Sequence, residues 1–237
     1  MICLALDTAG TEGGVALAQF DDDGALQPSR IFSRTLPPRE VSRQLMPAIA
    51  ELLAEMRCTA AAVDCFAAVS GPGSFTGIRV GLAAVKGMAD ARSCPVLGVS
   101  RLALMAAAGR GAITGGDSRA YCVLDAGRGE FYVGEFLDGD LLAKSESVAS
   151  RAALEQKIHA APAPVFACEP AVLDALANRF PHELIAIPTP RVTDLLPFAG
   201  RAWRGERGLR FDSSTALNAN YVRQAYPAKP AVAPAPR

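Results

Sequence analysis

Histidine is almost missing from these 237 residues: only His159 and His182 occur, both in the second half. Neither has a second imidazole at helical ligand spacing, which speaks against a histidine-based zinc site. A Ser-His-Asp triad would have to recruit one of two residues in polar surroundings. Surface histidines are the plainer reading. The six cysteines (Cys3, Cys58, Cys65, Cys94, Cys122, Cys168) form no CxxC pair, and several sit in runs that look like buried strands. Reduced thiols in a cytosolic protein fit that pattern. Charge of either sign is not in excess, since 24 basic residues meet 24 acidic ones. The chain therefore has no global field able to hold nucleic acid unaided. No signal peptide precedes Ile2-Cys3-Leu4-Ala5-Leu6, and no apolar run approaches the roughly 20 residues of a membrane span.

What the chain does have is apolar mass, half of its residues, enough for a substantial core in one large domain or two ordinary ones. Its most informative stretch runs from Val69 to Gly87. Cys65-Phe66-Ala67-Ala68-Val69 has the pattern of a strand, Gly71-Pro72-Gly73 that of a tight turn, and Ser74 or Thr76 can cap the helix that follows. On a helical wheel Ile78, Leu82, Val85 and Ala89 form a stripe suited to packing on a sheet. Gly77, Gly81, Ala84 and Met88 form a second stripe about 100° round. Glycine within an exposed helix costs about 1 kcal/mol relative to alanine, so Gly77, Gly81 and Gly87 need a compensating reason. Close approach of another helix supplies one, whether that helix is internal or a partner's. The turn lacks GxxxxGK[ST] spacing and does not match GxGxxG, so neither motif points to a phosphate cradle here.

Along the rest of the chain, Ile2 to Asp7 and Gly14 to Phe20 read as a β-hairpin, followed by a strand near Arg30 to Arg34. Val41, Leu45, Ile49, Leu52 and Met56 recur at helical steps, with Pro47 inside the helix and expected to bend it. A strand at Val96 to Val99 and an alanine-rich helix from Leu102 follow. Gly109 to Arg119 is expected to be a flexible junction. Then the plan restarts: Tyr121 to Asp125 is again a strand ending in an acid, followed by a glycine turn and the strand Glu130 to Val133. At an offset of 118 residues Asp7 falls on Asp125, Glu12 on Glu130 and Val15 on Val133. A duplicated α/β unit is the natural inference, the second smaller: helices near Arg151 to His159 and Ala171 to Phe180, strands near Val165 to Cys168 and Leu184 to Ile187, and a helix from Asp194 through Trp203. Arg201, Arg204 and Arg207 suit a solvated helix face better than a basic patch. The Pro/Ala-rich segment from Tyr226 to Arg237 is expected to be disordered.

Several of these segments carry a resemblance. Leu4-Ala5-Leu6-Asp7-Thr8, the run Gly71-Pro72-Gly73-Ser74-Phe75-Thr76-Gly77-Ile78-Arg79, Lys86-Gly87, Leu97-Gly98-Val99-Ser100, Asp125 to Glu130 and Tyr221-Val222-Arg223 together resemble the TsaB family across nearly the whole chain. The resemblance implies an α/β fold of two similar actin-like ATPase (ribonuclease H-like) lobes, each a mixed sheet with helices, the second smaller. It divides the chain into an N-terminal lobe with partner-docking helices at 1–108, a C-terminal lobe at 109–225 and the tail at 226–237. It implies a bacterial, cytoplasmic, non-catalytic scaffold required for threonylcarbamoyl transfer to the adenosine beside the tRNA anticodon. That scaffold acts by binding the catalytic paralogue TsaD, with the ATPase TsaE joining the pair and a homodimer forming when alone. Contact with tRNA is then indirect, and no membrane is involved. It further implies no cofactor on the isolated chain, with ATP or ADP at the shared interface of the complex.

The residues that match the family's interface helices are Gln44, Leu45, Ile49 and Leu52, with Gly77, Gly81, Ala84 and Met88. Where the family usually has His-Ser this chain has Val41-Ser42, so no metal ligation carries over. The alternative is a stand-alone ATPase or small-molecule kinase of the actin-like superfamily, using Asp7 and Asp125 around a cleft. Peptidase chemistry fits least, for want of a nucleophile and base pair.

Overall fold

A computed structural model describes residues 1–112, 119–137, 140–141, 145–177, 179–180, 184–206 and 208–222. The tail expected at 226–237 and residues 113–118 of the expected junction lie outside the described residues, as does His182. Strands β1 (Ile2–Asp7), β2 (Gly13–Phe20) and β3 (Leu26–Leu36) form an antiparallel meander. Helix α1 (Val41–Met56) leads to β4 (Cys65–Gly71), which lies parallel to β1; α2 (Phe75–Arg92) then leads to β5 (Val96–Ser100), parallel to β4. The resulting sheet order is β3-β2-β1-β4-β5. Its central strands are buried along almost their whole length, as strands covered on both faces must be. Helices α1 and α2 touch each other and pack on this sheet.

Helix α3 (Arg101–Gly109) leads into the second sheet, made of β6 (Arg119–Gly127), β7 (Glu130–Leu137), β8 (Asp140–Leu141), β9 (Ser147–Ser150), β10 (Val165–Ala167) and β11 (Leu184–Ala186). Its order is β11-β10-β6-β7-β8, with β9 also on β7; α4 (Arg151–Ala160) and α5 (Pro170–Leu176) are its crossovers. Both sheets thus pair a leading strand antiparallel to the next one and parallel to the strand after the first long helix. The repeat is topological with a shifted register. Asp7 pairs with Gly14, whereas Asp125 pairs with Phe131, so the second hairpin is one residue shorter. Val15 and Val133, matched at constant spacing in the sequence, therefore occupy different register positions: Val15 faces Leu6 and Val133 faces Val123.

Helix α3 is shared between the layers. Leu104 joins the first core, while Leu102, Met105 and Ala106 pack with Cys122, Phe136 and Phe166 of the second sheet. The end of the described chain also crosses back. Val192–Leu195, a 3₁₀ turn, and α6 (Leu196–Trp203) place Val192, Leu195, Leu196, Phe198, Ala199 and Ala202 in the first core together with Leu217. Asp212 exchanges two backbone hydrogen bonds of 2.8 Å with Val96, and Asn220 N donates to Ser70 O at 2.7 Å. Sequence order assigns 192–217 to the second unit, but its packing assigns it to the first, because the first sheet needs a second apolar cover that its own helices do not provide. No helix among the described residues is long and apolar enough to cross a membrane.

Candidate functional site

The carboxyl ends of the parallel strands converge on one cleft, where ligands bind in open α/β sheets. The turn after β1 (Thr8 to Thr11), the amino end of α2 (Ser74, Thr76), Arg101 after β5, Asp125 at the end of β6 and Glu169 after β10 all line it. Its volume is about 760 Å³, and a neighbouring cavity of about 510 Å³ shares Gly10, Arg101 and Glu169 and reaches Asp7.

Two buried charged groups sit at its base. Asp7 is 7% exposed, and its Oδ1 accepts from Ala9 N at 2.9 Å. Burial pushes its carboxyl above the ordinary range, against the Ala9 hydrogen bond and the Arg101 charge, which pull it down. Arg101 is 8% exposed, with Nη1 3.7 Å from Glu169 Oε1. Glu169 Oε2 in turn accepts from Asp125 N at 2.7 Å. A cation from the first unit is thus tied to an acid of the second, and through it to the strand that ends in Asp125. Among the described residues no three His, Cys, Asp or Glu converge to hold a metal, and no histidine lines the cleft. His159 sits on α4, its Nδ1 2.7 Å from the Glu155 carbonyl.

The eight residues expected on a partner-docking surface do not form one surface. Leu45, Ile49 and Leu52 are 2%, 3% and 0% exposed and belong to the first core. Gly77 and Gly81 face the turn after β1: a Cβ on Gly77 would stand 2.0 Å from Thr8 O, and one on Gly81 2.2 Å from Thr8 Oγ1. Thr8 Oγ1 donates to Gly77 O at 2.7 Å, and Ser74 N donates to Ala9 O at 2.8 Å. The glycines are therefore notches for the chain's own turn, not for a foreign backbone. Gln44, Ala84 and Met88 remain half-buried on the outer side, Gln44 donating to Glu40 Oε2 at 3.2 Å. Arg201 and Arg204 share the carboxylate of Glu206 at 2.7 and 2.6 Å, and Arg207 lies outside the described residues. Ser74 caps α2, accepting from Gly77 N at 3.1 Å.

Sequence reasoning passed over Arg101 and Glu169. The available signal was a charged residue heading the apolar run Leu102-Ala103-Leu104-Met105, where a buried helix needs a reason to begin with arginine. Phe75 and Tyr221, read in the sequence only as parts of the resembling motifs, are 53% and 45% exposed, with Arg79 stacked 3.7 Å over the Phe75 ring and donating to Tyr221 Oη at 2.7 Å.

Fold and cleft define a mixed α/β protein of two sheets with its site between them. The family described as TsaD, tRNA N6-adenosine threonylcarbamoyltransferase, matches residues 35–204. The solved YeaZ of Pseudomonas aeruginosa is 31% identical, covering 93% of this chain and 99% of that one with a TM-score of 0.70. A second solved P. aeruginosa protein, described as similar to the peptidase YeaZ, is 32% identical over 94% and 99%, with a TM-score of 0.72. The tRNA threonylcarbamoyladenosine biosynthesis protein TsaB of Escherichia coli is 34% identical over 57% of this chain and 55% of its own length. That of Bacillus subtilis is 30% identical over 56% and 54%. The matched stretch spans about half the length of these curated relatives. The chain belongs to the TsaB family, for which YeaZ is another name.

Proposed function

We propose that this chain is a cytoplasmic, non-catalytic scaffold for threonylcarbamoyl transfer to the tRNA adenosine beside the anticodon, and that it docks TsaD through the outer faces of α1 and α2. Family membership and the names of the curated relatives support the pathway. The observation that carries the docking surface is apolar exposure where two helices meet. Met46 is 54% exposed on α1, and Val80, Ala84 and Met88 are only half covered on α2, with Gly87 open beside them. This face replaces the one built on Leu45, Ile49, Leu52, Gly77 and Gly81; Gln44, Ala84 and Met88 are kept from it. The equivalent sheets are read as two actin-like, ribonuclease H-like lobes, with boundaries near 1–108 and 109–225 apart from the returning segment. In the complex TsaE joins, ATP or ADP sits at the shared interface, and tRNA is held mainly by the partner. Alone, the chain uses the same face to form a homodimer.

Co-purification with TsaD tests this. Met88→Asp or Ala84→Arg should weaken the complex tenfold or more, as a charge placed within an apolar interface does. Both side chains also touch the first core, so some loss of melting temperature is expected, and loss of binding counts only where the isolated variant still melts cooperatively. A normal complex with both variants overturns the docking surface. Nucleotide turnover by the pure chain, lost in Asp7→Ala, would favour the stand-alone ATPase or kinase.

A further inference from the structure

A guanidinium carries five N–H donors, and burial leaves each of them in need of an acceptor. Arg101 is 8% exposed, yet among the described residues its side chain meets only one acceptor, Glu169 Oε1, at 3.7 Å from Nη1 and so beyond hydrogen-bond reach. It lines both the cleft of about 760 Å³ and the adjoining cavity of about 510 Å³. None of its nitrogens is fully enclosed, so the donors open onto those spaces. The side chain is fixed from behind: Ser100 caps α3, accepting from Leu102 N at 3.2 Å, and Leu102, Leu104 and Met105 hold the helix in the cores on either side. In front, the turn after β1 presents glycine, and a Cβ on Gly10 would stand 3.4 Å from Arg101 Nη2.

We propose that Arg101 anchors a binding site for a small monocarboxylate with an apolar body, the carboxylate on the guanidinium and the body against Val41, Tyr132 and Ala171. The planar fork of arginine matches a carboxylate through two parallel N–H donors, which a lysine in its place would not offer. Val41, Ala126, Tyr132, Pro170 and Ala171 give the wider cleft an apolar side, so one buried charge among apolar walls sets both the position and the polarity of the ligand. A single negative charge is preferred over two. Glu169 stands beside the guanidinium, and Asp7 is close enough to feel its charge, so a dianion would have to stand against both carboxyls. Glu169 can yield its loose contact with Arg101 and stay in place, because its other oxygen accepts from Asp125 N at 2.7 Å. The site goes beyond the docking of TsaD and does not depend on it.

The test uses the full chain alone, with butyrate as the probe, butyramide as its uncharged counterpart and sulfate as a dianion. Butyrate should shift the Arg101 side-chain N–H signal in nitrogen-resolved NMR until the shift saturates, whereas butyramide and sulfate should not approach saturation over the same range. Arg101→Gln should weaken butyrate binding about tenfold or more. Because Arg101→Gln could disturb the packing of α3, Ala171→Glu serves as a second variant. Ala171 is exposed in the first turn of α5, where a carboxylate suits the helix, and the added charge should weaken butyrate binding while the chain still melts cooperatively. The assignment is overturned if butyramide binds as well as butyrate, if sulfate binds more tightly than butyrate, or if butyrate binding is unchanged in both variants.

Discussion

Asp7 is held between opposing influences, and its titration can be followed through stability. Burial raises its folded-state value above the ordinary 3.8, so between these two values the folded protein binds a proton that the unfolded chain has released. Its contribution to stability is complete below 3.8 and is lost as pH rises through the folded value. Beyond that point an ionised, desolvated carboxylate weighs against the fold, relieved in part by Arg101. Asn at this position keeps an acceptor for Ala9 N without the charge. Asp7→Asn should therefore melt at a higher temperature than the unsubstituted chain at pH 7, the gap closing toward zero below pH 3.8. A gap that widens on acidification would show that the raised value is wrong.

Helix α2 shows how one residue type serves two purposes within an element. Gly81 is filled from outside by Thr8, whereas Gly87 has no atom within 4 Å of where a Cβ would stand. Gly81→Ala should cost about 1–3 kcal/mol in urea unfolding, as overpacking does, and Thr8→Ala should restore part of it. Gly87→Ala should instead stabilise by up to about 1 kcal/mol. The helix itself was legible: the Ile78, Leu82, Val85, Ala89 stripe is buried as its period implies, and Ser74 caps as its position suggests. The period of α1 and the hairpin of β1 and β2 were equally readable. The meaning of the glycine stripe was not, because the group that fills it lies some seventy residues earlier in a turn, and no local pattern encodes that contact. Leu45, Ile49 and Leu52 illustrate the converse. Helical spacing identifies an apolar face but does not say whether the covering surface belongs to the same chain. Arg101 and Glu169 escaped for a related reason, since neither sits in a motif and only the packing of α3 between the two sheets brings them together.

At the scale of the molecule, the segment from Val192 to Leu217 decides what can fold alone. It supplies Leu195, Leu196, Phe198, Ala199 and Leu217 to the first core and bridges to Val96 at the sheet edge. A chain ending at Pro190 should lose the cooperative urea transition and bind a hydrophobic dye, although it retains every strand of the first sheet. A sharp transition at the same midpoint would show the returning segment to be dispensable.

That return also orders events during synthesis. At roughly 5–20 residues per second, about a hundred residues separate completion of β5 from the appearance of α6, so the nascent first sheet waits for at least several seconds with one apolar side uncovered. Over that interval the ribosome-bound chain keeps apolar surface uncovered, and it is hidden only when the last helix arrives.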